Sequence, residues 1–331
     1  MEDSVQLMDA LDRRVERRNE RREFFRTALG AAAVAGAGVA AVSLSGPATA
    51  QAITDADVLN FALNLEYLEA QFYSYAALGV GLNNNLLTGS GNQGAVSGGR
   101  RVTFTDPVVA QYAREIAQDE IAHVTFLRNA LGTAAVSQPA IDISVSANSA
   151  FSKAAREARL ITADQTFDPY ASDENFLLGA FIFEDVGVSA YKGASPLITN
   201  NTYVDAAAGI LAAEAFHAGI IRTQLYAKGI ATPTLRTGSE AISTARDTLD
   251  GASDRDQGVA PQDVTVTLAN GSSSTQTIAN IAPTDSNGIA YSRTTSQVLS
   301  IVYLTGTAGA TAGGFFPAGL NGNIRTTTAN A

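Results

Sequence analysis

Only two histidines occur in the 331 residues, and each follows a glutamate by three positions: Glu120-Ile121-Ala122-His123 and Glu214-Ala215-Phe216-His217. Residues three apart on a helix share a face, so the carboxylate and imidazole of each pair can reach one metal ion. With 13 glutamates in the whole chain, one such pairing is unusual and two are hard to assign to chance. Any chemistry that needs an imidazole must run through these two residues.

The surroundings of the glutamates sharpen the reading. Glu120 shares its helical face with Ala113, Ile116, Ala117, Val124 and Leu127, and Glu214 with Ala207, Ile210, Leu211, Ala218 and Ile221. Glu184 lies among Leu177, Ala180, Phe181, Val188 and Tyr191, and Glu66 among Leu59, Ala62, Leu63, Ala70 and Tyr73. An ionised carboxylate in an apolar stripe is costly unless a cation or a metal compensates it. Glu115, Glu157, Glu174 and Glu240 sit among polar or helix-end residues and read as solvated charges. An internal repeat supports the selection. Tyr73 follows Glu66 by seven residues and Tyr191 follows Glu184 by seven; Arg128 follows His123 by five and Arg222 follows His217 by five. In that register Glu66 matches Glu184, whereas Glu69 matches Gly187.

One glutamate from each of two helices, with Glu-x-x-His from each of the other two, is the donor set of di-iron and di-manganese carboxylate bundles. The expected metal ligands are Glu66, Glu120, His123, Glu184, Glu214 and His217. Glu66 and Glu184 are expected to be terminal, Glu120 and Glu214 bridging, and each histidine to cap one ion. Four carboxylates balance two divalent ions, and oxygen and nitrogen donors without thiolate favour iron or manganese. Glu69 is a supporting or substitute ligand. Tyr73 and Tyr191 are either donors to the ligands, radical-quenching aromatics, or plain core residues.

Four long helices must position these groups. Apolar periodicity places them at Asp55–Leu78, Pro107–Leu131, 173–193 and 203–228, with Gly132 and Gly229 as stops. The loop 79–106 is rich in Gly and Asn, while a short turn at Ser195-Pro196 joins the third helix to the fourth. About forty residues, with a short helix at 151–160, separate the second helix from the third; a bundle with one crossover requires such a long connection. Beyond the bundle the pattern predicts short helices at 240–249 and 294–304. Between them lies a polar stretch, 250–286, with a hairpin around Asn270-Gly271. An aromatic loop-like tail, 313–322, is expected to pack on the bundle.

The first fifty residues read as a targeting segment. Arg21-Arg22 in Glu20-Arg21-Arg22-Glu23-Phe24-Phe25-Arg26 resembles a twin-arginine export signal. An uncharged Ala/Gly/Val run follows, then small residues with cleavage expected after Ala50 or Ala52. No later segment is read as long and apolar enough to span a bilayer. The expected division is therefore 1–52 signal, 53–230 bundle and 231–331 extension, and the destination periplasmic or otherwise exported. Removing 1–52 takes both methionines, so the mature chain has no Met, Cys or Trp, the residues most easily oxidised. Zero cysteine excludes disulfides, iron–sulfur clusters and thiolate sites. A net charge of −10 argues against nucleic-acid partners.

The run Leu63-Asn64-Leu65-Glu66-Tyr67-Leu68-Glu69-Ala70-Gln71-Phe72-Tyr73, the two Glu-x-x-His pairs, and Gln297-Val298-Leu299-Ser300-Ile301-Val302-Tyr303 followed by Gly313-Gly314-Phe315-Phe316-Pro317 carry a resemblance to the ferritin-like superfamily, in its desiccation-related branch. The resemblance implies an all-α fold: a ferritin-like antiparallel four-helix bundle with one long crossover, plus a C-terminal extension of short helices and loops. It implies a dinuclear iron or manganese protein that oxidises ferrous iron or consumes O2 or peroxide in stress protection. Two alternatives stand beside this: a structural stress protein with a non-catalytic site, and manganese catalase-like peroxide dismutation. The extension would obstruct a closed storage cage, and the mature chain lacks both a methionine for haem and cysteines for a rubredoxin centre. The implied partners are the twin-arginine machinery, O2 or peroxide as substrate, and a second copy of the chain in a homo-oligomer, with no stable membrane span after cleavage.

Overall fold

The structure, a computed structural model, describes residues 52–251 and 253–329. The expected export signal, apart from Ala52, lies outside the described residues. Two helical hairpins form the bundle. Helix α1 (Asp55–Leu78) packs on α2 (Pro107–Leu131), and α4 (Asp173–Ala194) on α5 (Asn201–Ala231). The long connection between the hairpins contains the short helix α3 (Ala150–Glu157).

The helix ends are set by local chemistry. Thr54 caps α1 in a capping box with Asp57, and Gly79 ends it at φ +80°, where its N–H donates to the carbonyls of Ser74 and Tyr75. Asp106 caps α2 through the N–H groups of Val108 and Val109, with Pro107 in the first turn. Ser172 and Asn200 cap α4 and α5.

Helices α1 and α4 are buried on nearly every side, whereas α2 and α5 bury one face. The difference comes from what covers α1 and α4. In the loop between α1 and α2, β1 (Val96–Gly98) pairs in parallel with β2 (Ile141–Ile143) of the crossover, tying the two long connections together. The tail and α3 add an aromatic cluster. The Phe315 ring lies 4.9 Å from that of Phe183 and 5.2 Å from that of Phe151, and Phe72 stacks on Phe176 at 5.8 Å. Such pairs each add ~0.5–1.5 kcal/mol beyond area burial.

Several boundaries differ from expectation. Helix α5 continues through Gly229 to Ala231 instead of stopping there, because Gly229 is held against Arg236 of the next helix, whose guanidinium donates to the Tyr226 carbonyl. That helix, α6 (Thr234–Asp250), is much longer than the expected 240–249. Its buried face is Leu235, Gly238, Ser239, Ile242, Ser243, Arg246 and Asp250, so half of the helical stripe is polar and apolar periodicity does not register it. Glu240 is not simply solvated: its carboxylate accepts from the N–H groups of Gly258 and Ala260 and fixes the loop after α6. The expectation that no later segment could span a bilayer also fails on length and composition. Helix α5 contains an 18-residue window of mean hydropathy 1.4. Its alanines raise that mean, while its buried face carries Glu214, His217 and Arg222.

The remaining extension is a β3 (Gln262–Thr267)–β4 (Ser273–Ile278) hairpin that turns at Asn270-Gly271, then α7 (Thr295–Val302). Gly271 takes φ +81° there. A buried ionic cluster joins extension to bundle. Arg222 of α5 lies 2.7 Å from Asp185 of α4. Arg246 of α6 lies 2.8 Å from Asp256, and Arg293 lies 2.6 Å from Asp250 and 2.5 Å from Asp256. Three guanidinium and three carboxylate groups balance within it. Residues from Ile53 onward form one compact unit.

Candidate metal centre

The six residues expected as ligands converge between the two hairpins. Glu66 comes from α1, Glu120 and His123 from α2, Glu184 from α4, and Glu214 and His217 from α5. The four glutamates are at most 2% exposed, His217 is 2% exposed, and the His123 side chain is 11% exposed. Each inward position continues the apolar stripe of its helix, so helix packing alone carries the carboxylates inside.

Both Nδ1 atoms face the carboxylates. His123 Nδ1 lies 3.1 Å from Glu66, 3.6 Å from Glu214 and 3.7 Å from Glu120. His217 Nδ1 lies 3.1 Å from Glu120 and 3.8 Å from Glu184. Glu120 therefore turns Oε2 toward one imidazole and Oε1 toward the other. Glu66, Glu120, His123 and Glu214 present donor atoms all within 4.8 Å of one another, as do Glu184, Glu214 and His217. Glu214 belongs to both groups.

Apart from the 3.1 Å hydrogen bond between His123 Nδ1 and Glu66 Oε2, the donor atoms meet without bonding to one another. Both oxygens of Glu120, both of Glu214, one each of Glu184 and Glu69, and His217 Nδ1 are buried and lack a hydrogen-bond partner. The 3.1 Å approach of His217 to Glu120 does not have hydrogen-bond alignment. Buried polar atoms are nearly always paired, and leaving one unpaired costs ~1–3 kcal/mol, more when it is charged. So many converging orphans fit one or two cations placed among them, and the oxygen and nitrogen donors suit hard or borderline divalent metals.

The electrostatics of the metal-free cluster agree. Burial, reinforced by Glu120, pushes Glu66 up to about 7 against the opposing pull of His123, and burial pushes Glu184 up to about 8. Burial, then the neighbouring carboxylates, drives Glu69 and Glu214 well above the usual range. Burial alone would raise Glu120 as well; the attraction of the two imidazoles beside it outweighs this and holds the carboxyl far below its ordinary value. Burial also opposes charge on the imidazoles. Glu66 and Glu120 nonetheless push His123 up to about 11, and Asp119 and Glu120 push His217 up to about 10.

The tyrosines cross between the halves. Tyr73 follows Glu66 in sequence, yet its hydroxyl donates to Glu184 Oε1; Tyr191 follows Glu184 but donates to Glu66 Oε1. Each phenol thus occupies one oxygen of an outer carboxylate. The arginines of the repeat diverge: Arg128 donates to the Tyr67 hydroxyl at 2.5 Å, whereas Arg222 joins the ionic cluster.

Two contributors escaped the sequence reading. Asp119 Oδ2 lies 3.2 Å from His217 Nε2; the signal available was the Asp-Glu dipeptide where the repeat has Ala213-Glu214. Gly187, the counterpart of Glu69, leaves space that Glu214 uses: a Cβ there would collide with Glu214 Oε2 and lie 3.6 Å from Glu69 Oε1. Gly187→Ala is therefore expected to displace the Glu214 carboxylate and weaken metal binding at least tenfold while leaving the helical content unchanged. Metal titration beside circular dichroism checks this.

Comparison with known proteins places the arrangement. The family model described as the ferritin-like domain matches residues 54–227. Over 279 residues, 82% of this chain and 84% of the relative, the sequence is 29% identical to a Nesocodon mauritianus protein named ferritin-like catalase Nec2. Over 181 residues, 52% of this chain and 53% of the relative, it is 33% identical to the desiccation-related protein PCC13-62 of Craterostigma plantagineum. No solved structure shows a significant match.

Proposed function

The chain belongs to the ferritin-like domain family, and on that premise we propose that it is a dinuclear iron or manganese protein that consumes hydrogen peroxide. The observation that carries this reading is the set of buried, unpartnered carboxylate oxygens, together with His217 Nδ1, converging between the hairpins. The likeness to a protein named ferritin-like catalase supports peroxide as the substrate.

Glu66 and His123 would hold one ion, Glu184 and His217 the other, with Glu120 and Glu214 between them. Bound there, two redox-active ions supply two-electron exchange with peroxide. The protein's own part is binding, orientation and proton handling. Tyr73 and Tyr191 tie up one oxygen of each outer carboxylate and direct the other oxygen inward. The bundle and the aromatic tail exclude water from α1 and α4. Disproportionation, 2 H2O2 → O2 + 2 H2O, needs no outside reductant but moves protons from the peroxide oxidised to the peroxide reduced. Glu69, a carboxyl that burial raises well above the usual range beside the cluster, is placed to hold such a proton.

The test is metal content and peroxide turnover without reductant, in manganese- and iron-loaded protein and in Glu120→Ala/Glu214→Ala. About two ions per chain, O2 released at half the rate of peroxide loss, and neither in the variant is the expected result. Peroxide consumed only with stoichiometric Fe2+ would replace this reading with ferrous oxidation. Metal-free wild-type protein with both forms equally folded would favour a structural stress role, the reading that the desiccation-related relative supports.

Export belongs to the same proposal. The twin arginines at 21 and 22 would send the folded chain through the twin-arginine machinery. N-terminal sequencing of protein recovered outside the cytoplasm would find Gln51 or Ile53 first; retention of residues 1–52 would count against it.

A further inference from the structure

The repeat makes His123 and His217 equivalent on their inward side, but their outward nitrogens differ. His217 Nε2 meets the Asp119 carboxylate at 3.2 Å. Among the described residues, no carboxylate pairs with His123 Nε2; its carboxylate neighbours all approach Nδ1. The cause is one residue. The position before the central glutamate is Asp119 on α2 and Ala213 on α5. The Asp119 side chain is 49% exposed, at the surface edge of the cluster.

The Glu66–His123 position gathers four donors within 4.8 Å of one another and the Glu184–His217 position three, so any tighter binding at the latter must come from the support its histidine receives. Glu66, Glu120, Glu214 and His123 form the first; Glu184, Glu214 and His217 form the second, with Glu120 Oε1 3.1 Å from His217 Nδ1 at its side. A carboxylate accepting the outer N–H of an imidazole fixes its tautomer and ring orientation and strengthens the inner nitrogen as a donor. His217 has this support and is nearly sealed, while His123 lacks it and is the more exposed ring.

Building on the metal-binding reading above, we infer that Asp119 is a positioning residue that makes the two metal positions unequal: the Glu184–His217 position loads first and holds its ion more tightly than the Glu66–His123 position. Asp119 touches no ion; it acts through the His217 ring. The Glu66–His123 position is then the one that exchanges its ion.

The experiment is titration of Mn2+ into the metal-free full chain, with free Mn2+ followed by electron paramagnetic resonance. Wild type is expected to bind two ions in steps separated about tenfold or more. Asp119→Ala should weaken the tighter step by ~10–100-fold and leave the weaker step in place, so that the two merge. Asp119→Asn, whose amide oxygen still accepts from Nε2–H, should recover part of the loss. Far-ultraviolet circular dichroism of the metal-free variants should match wild type, since a half-exposed side chain on the surface edge of α2 is all that changes. Identical isotherms for wild type and Asp119→Ala, or equal weakening of both steps, would overturn the inference while leaving a dinuclear site intact. Wild-type protein that binds no Mn2+ would overturn the metal-binding reading and this inference with it.

Discussion

Metal-free protein will lose stability as the pH rises from about 5 to about 8, and divalent metal will restore it. Burial first, then repulsion among the carboxylates, raises Glu66 to about 7 and Glu184 to about 8, and carries Glu69 and Glu214 well above the usual range. In the unfolded chain these groups ionise near 4.5. Between those values the folded form keeps protons that the unfolded form has released, so stability is full below about 4.5 and falls as pH climbs through 7 to 8. The histidines act in the same direction at higher pH. Their folded values of about 11 and 10 lie above 6.5, so their contribution is present below 6.5 and is lost toward pH 10. Glu120, held low by the two imidazoles, opposes only below 4.5. The metal-free optimum therefore lies near pH 5. A tenfold difference in proton affinity between the folded and unfolded chain corresponds to about 1.4 kcal/mol; since the carboxylates share their protons, the net change across the window is on the order of a few kcal/mol. For a domain of this size that lowers Tm by on the order of 10 °C. Added Mn2+ or Fe2+ replaces the protons, so Tm should rise most at pH 8 and least at pH 5. A metal-free Tm that is flat or rising over this window would show that the carboxylates are hydrated or paired in a way the cluster geometry excludes.

Replacing Arg293 by methionine should cost about 3–5 kcal/mol. Its guanidinium lies at the centre of the junction between bundle and extension, donating to Asp250 at 2.6 Å, to Asp256 at 2.5 Å and to Ser189 at 2.8 Å, and it is fully buried. Removal strands the Asp250 carboxylate away from water and leaves Asp256 with Arg246 alone, and an unpaired buried charge is the circumstance in which a broken pair is most costly. Burial already raises Asp250 against the pull of Arg293, so this residue should take up a proton in the variant. Urea unfolding reads the loss; Arg293→Lys, which keeps the charge but not the planar fork, should fall between. A loss under about 1 kcal/mol would mean that the cluster does not hold the extension in place. Asp185, bound to Arg222 and Arg246, is the neighbour of Glu184 in sequence. Loosening this junction is thus expected to reach the metal ligands as well.

Sequence and tertiary structure divided the work along physical lines. Helix boundaries at Asp55–Leu78 and Pro107–Leu131 were legible because their signals are local: caps, a first-turn proline and glycine stops. The convergence of Glu66, Glu120, His123, Glu184, Glu214 and His217 was legible because each lies on the apolar stripe of its own helix, and a stripe must face the core. Helix α6 was only partly legible, since Ser239, Ser243, Arg246 and Asp250 replace half of its apolar stripe; their reason for being buried lies in Asp256, Arg293 and Val259, residues distant in the chain. The same holds at the site. Periodicity placed Tyr73 beside Glu66 on one helix, but only packing across the hairpins could show that its hydroxyl reaches Glu184. Asp119 reads as a surface charge until α5 brings His217 against it, and Gly187 as a gap in a repeat until Glu214 is seen to fill it. A helix's own pattern determines which residues turn inward. Which inward groups touch depends on the rotation and separation of neighbouring helices, quantities that exist only after the chain has packed.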